Sequence, residues 1–352
     1  MSRIEKLKSL LESGSLDAIL LAGPVNRRYA SGFTGSSGSV FVTRENAWLV
    51  TDFRYAQQAA AQCPECAVVT LKQEEKLSEW IAGFNLQRIG FEADIWTLDA
   101  FEPLKLLQSI QWIPVQGELM KLRARKDEAE IQAVERAAAI ADQAYQHILG
   151  VIRPGLSEKA VALELEFFMR KAGATGLSFD SIVASGERSS MPHGVASDKL
   201  IEAGDLLTLD FGCMVDGYCS DMTRTLMVGE AQPEQRKLYE LVLEAQLASL
   251  AAVKAGATAS AVDRAGRSII EAAGHGEAFC HGTGHGVGLE IHEFPRIAAT
   301  SETVLEPGMI ITIEPGVYLP GFGGVRIEDL VAVTEEGYRL LSTSPKQLIE
   351  LV

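Results

Sequence analysis

The chain predicts an α+β protein of two domains: a smaller N-terminal α/β domain over residues 1–122 and a larger domain over 123–352 made of two related α/β halves. Three observations point there. At 352 residues the chain is long for one domain. Its first third alternates helical and strand-like patterns, the mark of α/β layering. And two stretches copy each other, EAGDLLTLDFG at 202–212 and EPGMIITIEPG at 306–316. Glu202, Gly204, Thr208, Asp210 and Gly212 recur as Glu306, Gly308, Thr312, Glu314 and Gly316, at a constant offset of 104.

In the N-terminal part a helix over 3–12 leads to a strand, DAILLAG (17–23). FVTRENAWLVTD (41–52) reads as two strands around an Arg-Glu-Asn turn. A helix over 56–61, strands at 67–71 and 88–92, a helix over 98–107 and a strand at 113–115 follow. NRRYASGFTGSSG (26–38) reads as a loop, and with Asp52–Tyr55 it combines aromatics, arginines and glycines in the manner of a pocket rim. The charged stretch KLRARKDEAE (121–130) marks the boundary. Asp127 with Glu130 three residues on is a capping signal, and Ile131, Val134, Ala138, Ala141, Tyr145 and Ile148 then form one apolar stripe. A second helix runs from Ser157 to Gly173. Strands are expected at 181–184, 206–212 and 218–228, helices over 233–256 and 260–274, and strands at 309–314, 325–333 and 338–341.

Composition excludes some classes. A net charge of −15 argues against nucleic acid or anionic lipid as the main partner. No apolar run approaches the ~20 residues of a membrane span, and the N-terminus lacks a signal-peptide core, so a cytoplasmic protein is expected. Five cysteines, odd and sparse, fit a reducing compartment. Cys63 and Cys66 have half-zinc spacing with no second pair, and read as incidental loop thiols.

The chemistry lies in strand acids. Each repeated segment carries an acid near its C-terminal end and is followed by a second, Asp221 after Asp210 and Glu328 after Glu314. Asp216-Gly217 between alternating strands is a hairpin signal. A turn there pairs residues whose numbers sum to 433, so Gly212 opposes Asp221 and Thr223 opposes Asp210. The two aspartates become diagonal neighbours, roughly 7–8 Å apart at the backbone, and Gly212 leaves space beside Asp221. The second pair is looser: a hairpin centred near Gly321 sets Glu314 opposite Glu328, while a bulge in the odd, Gly-rich link would shift that register. Buried carboxylates this close repel unless a cation separates them. Between the pairs lies HGTGHGVGLEIHE, with His281, His285 and His292 among alternating glycines that admit close approach of a ligand. A phosphate loop is excluded, because the dinucleotide-binding glycine spacing is absent. Four acids with an imidazole suit two divalent ions, Mn, Co or Zn, sharing carboxylates and a bridging water.

These segments resemble the M24 pita-bread metallopeptidases, and within them the Xaa-Pro aminopeptidase (aminopeptidase P) and Xaa-Pro dipeptidase (prolidase) group. The likeness rests on LDFGCMVDGYCSDMTRT (209–225), HGTGHGVGLEIHE (281–293), ITIEPGVY (311–318), GGVRIED (323–329) and MPHG (191–194), with NRRYASGFTGSSG and TDFRY in a creatinase/prolidase-like N-terminal domain. It implies five metal ligands, Asp210, Asp221, His285, Glu314 and Glu328, holding two divalent ions, manganese first with cobalt or zinc compatible, around a bridging hydroxide. It further implies that His193 and His292 face the substrate, that Glu314 handles the proton and that Arg326 orients a ligand carboxylate.

The activity so implied is hydrolysis of the bond between an N-terminal residue and proline in di- or oligopeptides, by a homodimer whose N-terminal domain walls the active site. The residues do not choose between aminopeptidase and dipeptidase, nor name the native metal. A methionine-aminopeptidase-like activity is the alternative within the family; it shares the five ligands, whereas GGVRIED is the Xaa-Pro form. A non-enzymatic binding module is the alternative outside catalysis. Such relatives lose metal ligands, and metal content separates the two.

Overall fold

The computed structural model describes residues 2–351. The chain divides into two compact units, one ending at Arg123 and the other beginning at Ala124. Among the described residues no helix is long and apolar enough to cross a membrane.

The first unit opens with α1 (Arg3–Ser13), capped reciprocally by Ser2 and Glu5 and burying Ile4, Leu7 and Leu11. There follow β1 (Ala18–Leu21), α2 (Pro24–Ser31), β2 (Ser39–Thr43), β3 (Ala47–Asp52), α3 (Ala56–Gln62), β4 (Ala67–Leu71), α4 (Leu77–Ala82), β5 (Arg88–Phe91), α5 (Leu98–Lys105), β6 (Gln111–Pro114) and α6 (Gln116–Ala124). The strands form one sheet in the order β4-β3-β2-β1-β5-β6. Only β2 runs antiparallel to its neighbours: it is reached from β1 through α2 and turns back directly into β3.

One expectation fails in this unit. The α2 and α4 helices were not legible, since both are short and lack a periodic apolar stripe. Within 26–38, Arg27, Tyr29 and Phe33 are buried, whereas Ser37 and Gly38 line a cavity with Asp52, Phe53 and Arg54. The Arg27 guanidinium donates to the carbonyls of Ala22, Gly35 and Gly38, which are otherwise loop acceptors turned inward. Glu92 accepts from Ala22 N, Gly23 N and Asn26 Nδ2, so an anion sits at the start of α2. Phe53, by contrast, is 80 % exposed. Cys63 and Cys66 are buried, and burial pushes the Cys66 thiol up to about 12, which makes it unreactive.

The second unit begins with α7 (Glu128–Leu149), opened by the Asp127/Glu130 box, and α8 (Glu158–Lys171). Then come β7 (Gly176–Leu177), β8 (Ile182–Ser185), a 3₁₀ turn over Gly186–Ser190, β9 (Leu206–Phe211), β10 (Cys213–Val215), β11 (Tyr218–Cys219) and β12 (Met222–Val228). The second half supplies α9 (Pro233–Ala251), α10 (Ala259–Ala272), β13 (Gly284–Gly286), β14 (Glu293–Ile297), β15 (Ile310–Ile313), β16 (Gly316–Leu319), β17 (Gly323–Arg326), β18 (Asp329–Val333), β19 (Tyr338–Leu340) and β20 (Glu350–Leu351). Two larger sheets result, β20-β12-β9-β8 and β14-β13-β15-β18-β19.

The duplication extends to single hydrogen bonds. Gly155 N donates to Ile201 O and Ile201 N to Leu156 O; in the second half Gly256 N donates to Leu305 O and Leu305 N to Ala257 O. Ser157 caps α8 and Thr258 caps α10. Gly204 and Gly308 both have positive φ, +94° and +87°, as the turn entering each repeated strand requires. The expected single strand 325–333 is two, β17 and β18, interrupted at Ile327-Glu328. The HGTGHG segment, not expected to be extended, contributes β13.

Behind the second hairpin sits Arg224, 0 % exposed. It pairs with the equally buried Asp329 at 2.8 Å and donates to the carbonyls of Thr223, Glu328, Ser344 and Pro345. Asp329 also accepts from Lys346 Nζ at 2.6 Å and Gln246 Nε2 at 2.9 Å. Removing one partner of such a network strands the others in a dry interior. Arg224→Met is therefore expected to destabilise this unit by about 3–5 kcal/mol, read as a lowered urea midpoint. A midpoint within experimental scatter of the parent would show that the network is dispensable.

Candidate metal centre

Both acid-bearing hairpins keep the register that their turns dictate. Asp216 and Gly217, with φ of +49° and +76°, make the first turn. Val215↔Tyr218 and Met214↔Cys219 pair beyond it, and Thr223↔Asp210 after a break. In the second, Gly316↔Arg326 through Leu319↔Gly323 pair around the turn, and Ile313↔Asp329 resumes the same register after a break. The breaks fall at 212/220–221 and at 314–315/327–328, where the ladder opens so that acids can leave the sheet plane. Gly212 does not leave a space beside Asp221, as the sequence suggested. A Cβ there would lie 1.9 Å from Ser220 O, so the glycine admits the opposing backbone. The same holds along the Gly-rich segment: a Cβ on Gly284 would meet Thr312 O at 1.9 Å. These glycines let β13 fit between β14 and β15 rather than admitting a ligand.

The result is a cluster. Asp210 stands near the end of β9, Asp221 just before β12, Glu314 just after β15, Glu328 just before β18, and His285 at the centre of β13. Asp221, His285 and Glu328 each bring a ligand atom within 4.8 Å of the others. His285 Nε2 lies 3.3 Å from Glu314 Oε1 and 3.6 Å from Asp221 Oδ2. Asp210 joins through Arg326, whose Nη2 donates to Asp210 Oδ2 at 2.6 Å.

Supporting groups fix each side chain. Thr223 Oγ1 donates to Glu328 Oε2 at 2.6 Å and accepts from Arg326 Nε at 3.0 Å. Thr312 Oγ1 accepts from His285 N and donates to Glu314 Oε1. Arg326 Nη1 donates to Tyr318 Oη at 2.8 Å and to Pro192 O at 3.1 Å. Tyr318 Oη meets His281 Nε2 at 2.8 Å, and His281 Nδ1 faces Gly282 O. Thr223, Tyr318 and His281 were given no role by the sequence. Thr312 was visible only as half of the repeated Thr208/Thr312 pair.

Three features make this cluster fit a divalent cation. Asp210 Oδ1 and Glu328 Oε1 are buried with no hydrogen-bond partner, a costly condition for carboxylate oxygens. His285 Nδ1 lies 3.1 Å from Gly286 O, a contact that holds the Nδ1 proton and so leaves Nε2 available to a cation once one sits among the acids. And the acids repel. Burial, then Glu328 and Asp210, push Asp221 well above the usual carboxylate range. Burial, then Glu314 and Asp210, do the same to Glu328. Burial also raises Asp210, against the pull of Arg326. Glu314 goes the other way: its burial is outweighed by the His285 hydrogen bond and charge, and it falls to about 2.

His292 and His193 stand outside the cluster. The His292 ring centroid is 4.4 Å from that of His285, edge to face. Burial and the neighbouring His285 hold His292 below the usual imidazole range, so it is neutral at pH 7. His193 is exposed, on the loop after β8 whose Pro192 carbonyl meets Arg326.

The chain is similar to known proteins along nearly its whole length. Residues 132–335 match the model of metallopeptidase family M24, and residues 3–125 that of the creatinase/prolidase N-terminal domain. The chain is 41 % identical to the Xaa-Pro dipeptidase of Pyrococcus furiosus over 99 % of both sequences. Its fold matches that of an Xaa-Pro dipeptidase from Bacillus anthracis with a TM-score of 0.96, at 48 % identity and 99 % coverage of each chain. An X-Pro aminopeptidase from Thermotoga maritima matches at a TM-score of 0.91, with 36 % identity over 96 % of this chain and 98 % of that one. The chain belongs to metallopeptidase family M24 and is a metallopeptidase with the pita-bread fold.

The electrostatics set a pH dependence. A group whose pKa is raised by folding adds stability at low pH and loses it as the pH climbs through the raised value. Asp221, Glu328 and Asp210 are raised acids, and His285 is raised too, burial being outweighed by Glu314, so all four act in that direction. Glu314, held at about 2, acts oppositely but only at lower pH. Chelator-treated protein should lose thermal stability between about pH 5 and about pH 8, and added manganese should restore more at the higher pH. A metal-induced shift that shrinks as the pH rises would contradict this account.

Proposed function

We propose that this family M24 chain is an Xaa-Pro peptidase of the cytoplasm, hydrolysing the bond between an N-terminal residue and proline, with dipeptides as its preferred substrates. The observation that carries the reading is the clustering of four carboxylates, two of them with buried, unpartnered oxygens, in one site with His285, whose Nε2 lies 3.3 Å from Glu314 and 3.6 Å from Asp221. The relatives support the proline preference, and those named Xaa-Pro dipeptidase, at 48 % and 41 % identity, outrank the aminopeptidase at 36 %.

In this reading Asp210, Asp221, His285, Glu314 and Glu328 hold two divalent cations, manganese in the first place. When bound, the cations supply Lewis acidity toward the carbonyl and lower the pKa of a shared water. The protein's own groups do the rest. Arg326 keeps Asp210 aimed by its 2.6 Å contact, and Thr223 does the same for Glu328. Glu314, hydrogen-bonded to Thr312, accepts the proton from water and passes it to the departing proline nitrogen. That nitrogen bears no hydrogen in the peptide and leaves as a secondary amine. His292, neutral, donates its ring N–H to the developing oxyanion, and His193 steadies the same carbonyl.

Two expectations follow. Asp221→Ala should lose stoichiometric metal together with activity, whereas His292→Ala should keep its metal and lose roughly 10²–10³-fold in kcat, the usual cost of one oxyanion donor. Elemental analysis beside turnover separates them; full metal and normal rates in Asp221→Ala would sink the ligand assignment. After reconstitution with manganese, cobalt or zinc, Xaa-Pro should be cleaved faster than Xaa-Pro-Yaa and far faster than Xaa-Ala. Met-Ala cleaved ahead of Met-Pro would move the chain toward a methionine-aminopeptidase-like activity.

A further inference from the structure

The loop that presents His193 is ordered without a core of its own. Of residues 186–197 only Ser189 and Gly194 are buried; Met191, His193 and Val195 face solvent. Loops with so little apolar burial do not offset the entropy of ordering, so the ordering must come from elsewhere. It comes from one carboxylate. Glu158, the first residue of α8, is 0 % exposed. Its Oε1 accepts from Ser185 N at 2.8 Å and Ser185 Oγ at 2.9 Å. Its Oε2 accepts from Ser197 N at 3.0 Å, Ser197 Oγ at 2.6 Å and Arg188 Nε at 3.0 Å. Arg188 in turn donates from Nη2 to Val195 O at 2.7 Å. One buried side chain thus ties both ends of the loop and, through Arg188, the residue two beyond His193. The opposite side of the loop is held by the site itself, through Ser189 Oγ to Gly324 N and Pro192 O to Arg326.

The geometry points to Glu158 as a positioning residue for catalysis: it sets the place of His193 against the substrate by clamping Ser185, Arg188 and Ser197. This rests on the reading above, in which His193 meets the scissile carbonyl. A buried carboxylate is a poor device for stability alone, since apolar packing of the same volume does as well. Here every acceptor site is spent on the His193 loop. The hydrogen bonds from Ser197 and Ser185 outweigh burial and hold Glu158 below the usual carboxylate range, so it is ionised whenever the loop is closed on it.

The test uses full-length, manganese-loaded protein and four variants: Glu158→Gln, Ser197→Ala, His193→Ala and Glu158→Gln combined with His193→Ala. Glu158→Gln keeps the size but turns an amide N–H toward donors. It should retain full metal, expose the amides of residues 187–197 to faster hydrogen exchange, and lower kcat/KM for an Xaa-Pro dipeptide about tenfold, the scale of a charge-assisted contact. Added to His193→Ala, it should cost less than about twofold more, because the two changes act through one group. Equal losses in both backgrounds, or unchanged exchange in the loop, would overturn the clamp. Ser197→Ala removes a single hydroxyl donor and carries the same comparison, with a loss of about threefold, if Glu158→Gln does not fold. A parent enzyme inactive on Xaa-Pro would instead overturn the functional reading, and loop exchange in Glu158→Gln would still decide whether Glu158 orders the loop.

Discussion

Asp210, Asp221 and Glu328 are buried and Glu314 half-buried, all within electrostatic reach of one another, and the first three are pushed toward protonation by burial and mutual charge. Two of their oxygens meet no donor at all. A protein interior does not sustain that arrangement without a positive charge among the acids. Arg326 supplies one, but its guanidinium is committed to Asp210, Thr223, Tyr318 and Pro192. The remaining deficit is what a divalent cation fills, so the design of the second unit follows from holding like charges together.

The scaffold meets that demand by interruption. Each hairpin holds one register on both sides of a gap in its ladder, and the acids cluster at the gaps. Rigid strands on either side leave little freedom to the residues between them. Backbone is fixed from behind as well: Arg224 donates to the carbonyl of Glu328 while pairing with the adjacent Asp329. Thr223 and Thr312, equivalent in role but on different halves, each aim one glutamate. Such supporting contacts decide ligand geometry as much as the ligands do.

The loops around the centre are held by the same means, buried polar groups rather than apolar packing. Asp263 accepts from Thr283 N and Oγ1 and pairs with Arg267, which also donates to the carbonyls of Phe279 and His281. Glu158 does the corresponding work for the loop of His193. In both cases a carboxylate near the start of a helix, α10 or α8, anchors a segment that carries a histidine. The two positions are not equivalent in the repeat, since Glu158 is the first residue of α8 and Asp263 the fifth of α10.

Much of this was legible in the chain. Hairpin register follows from turn residues and the two-residue period of strands, so Asp216-Gly217 alone paired Asp210 with Thr223, whereas the Gly321 link suggested Glu314 against Glu328 with a bulge still open, and the folded ladder fixed that register. The first pairing is a local consequence of backbone chemistry. The repeat at offset 104 announced two halves, and the Asp127/Glu130 box announced α7. What the chain by itself did not disclose depends on contacts across long separations. The helix carrying Arg27 was hidden because its charge is satisfied by carbonyls that only the folded loop turns inward. The glycines of 282–288 looked like room for a ligand, yet it is the neighbouring strands β14 and β15 that need the room. Tyr318 and Glu158 carry no pattern, and Thr223 and His281 carry one that names no role, since a single polar side chain gains its role only when a distant partner is brought within hydrogen-bond reach. The residues that bear charge in the site were therefore determined by sequence, through period and turn chemistry, whereas those that aim them were decided by tertiary packing, through distance alone.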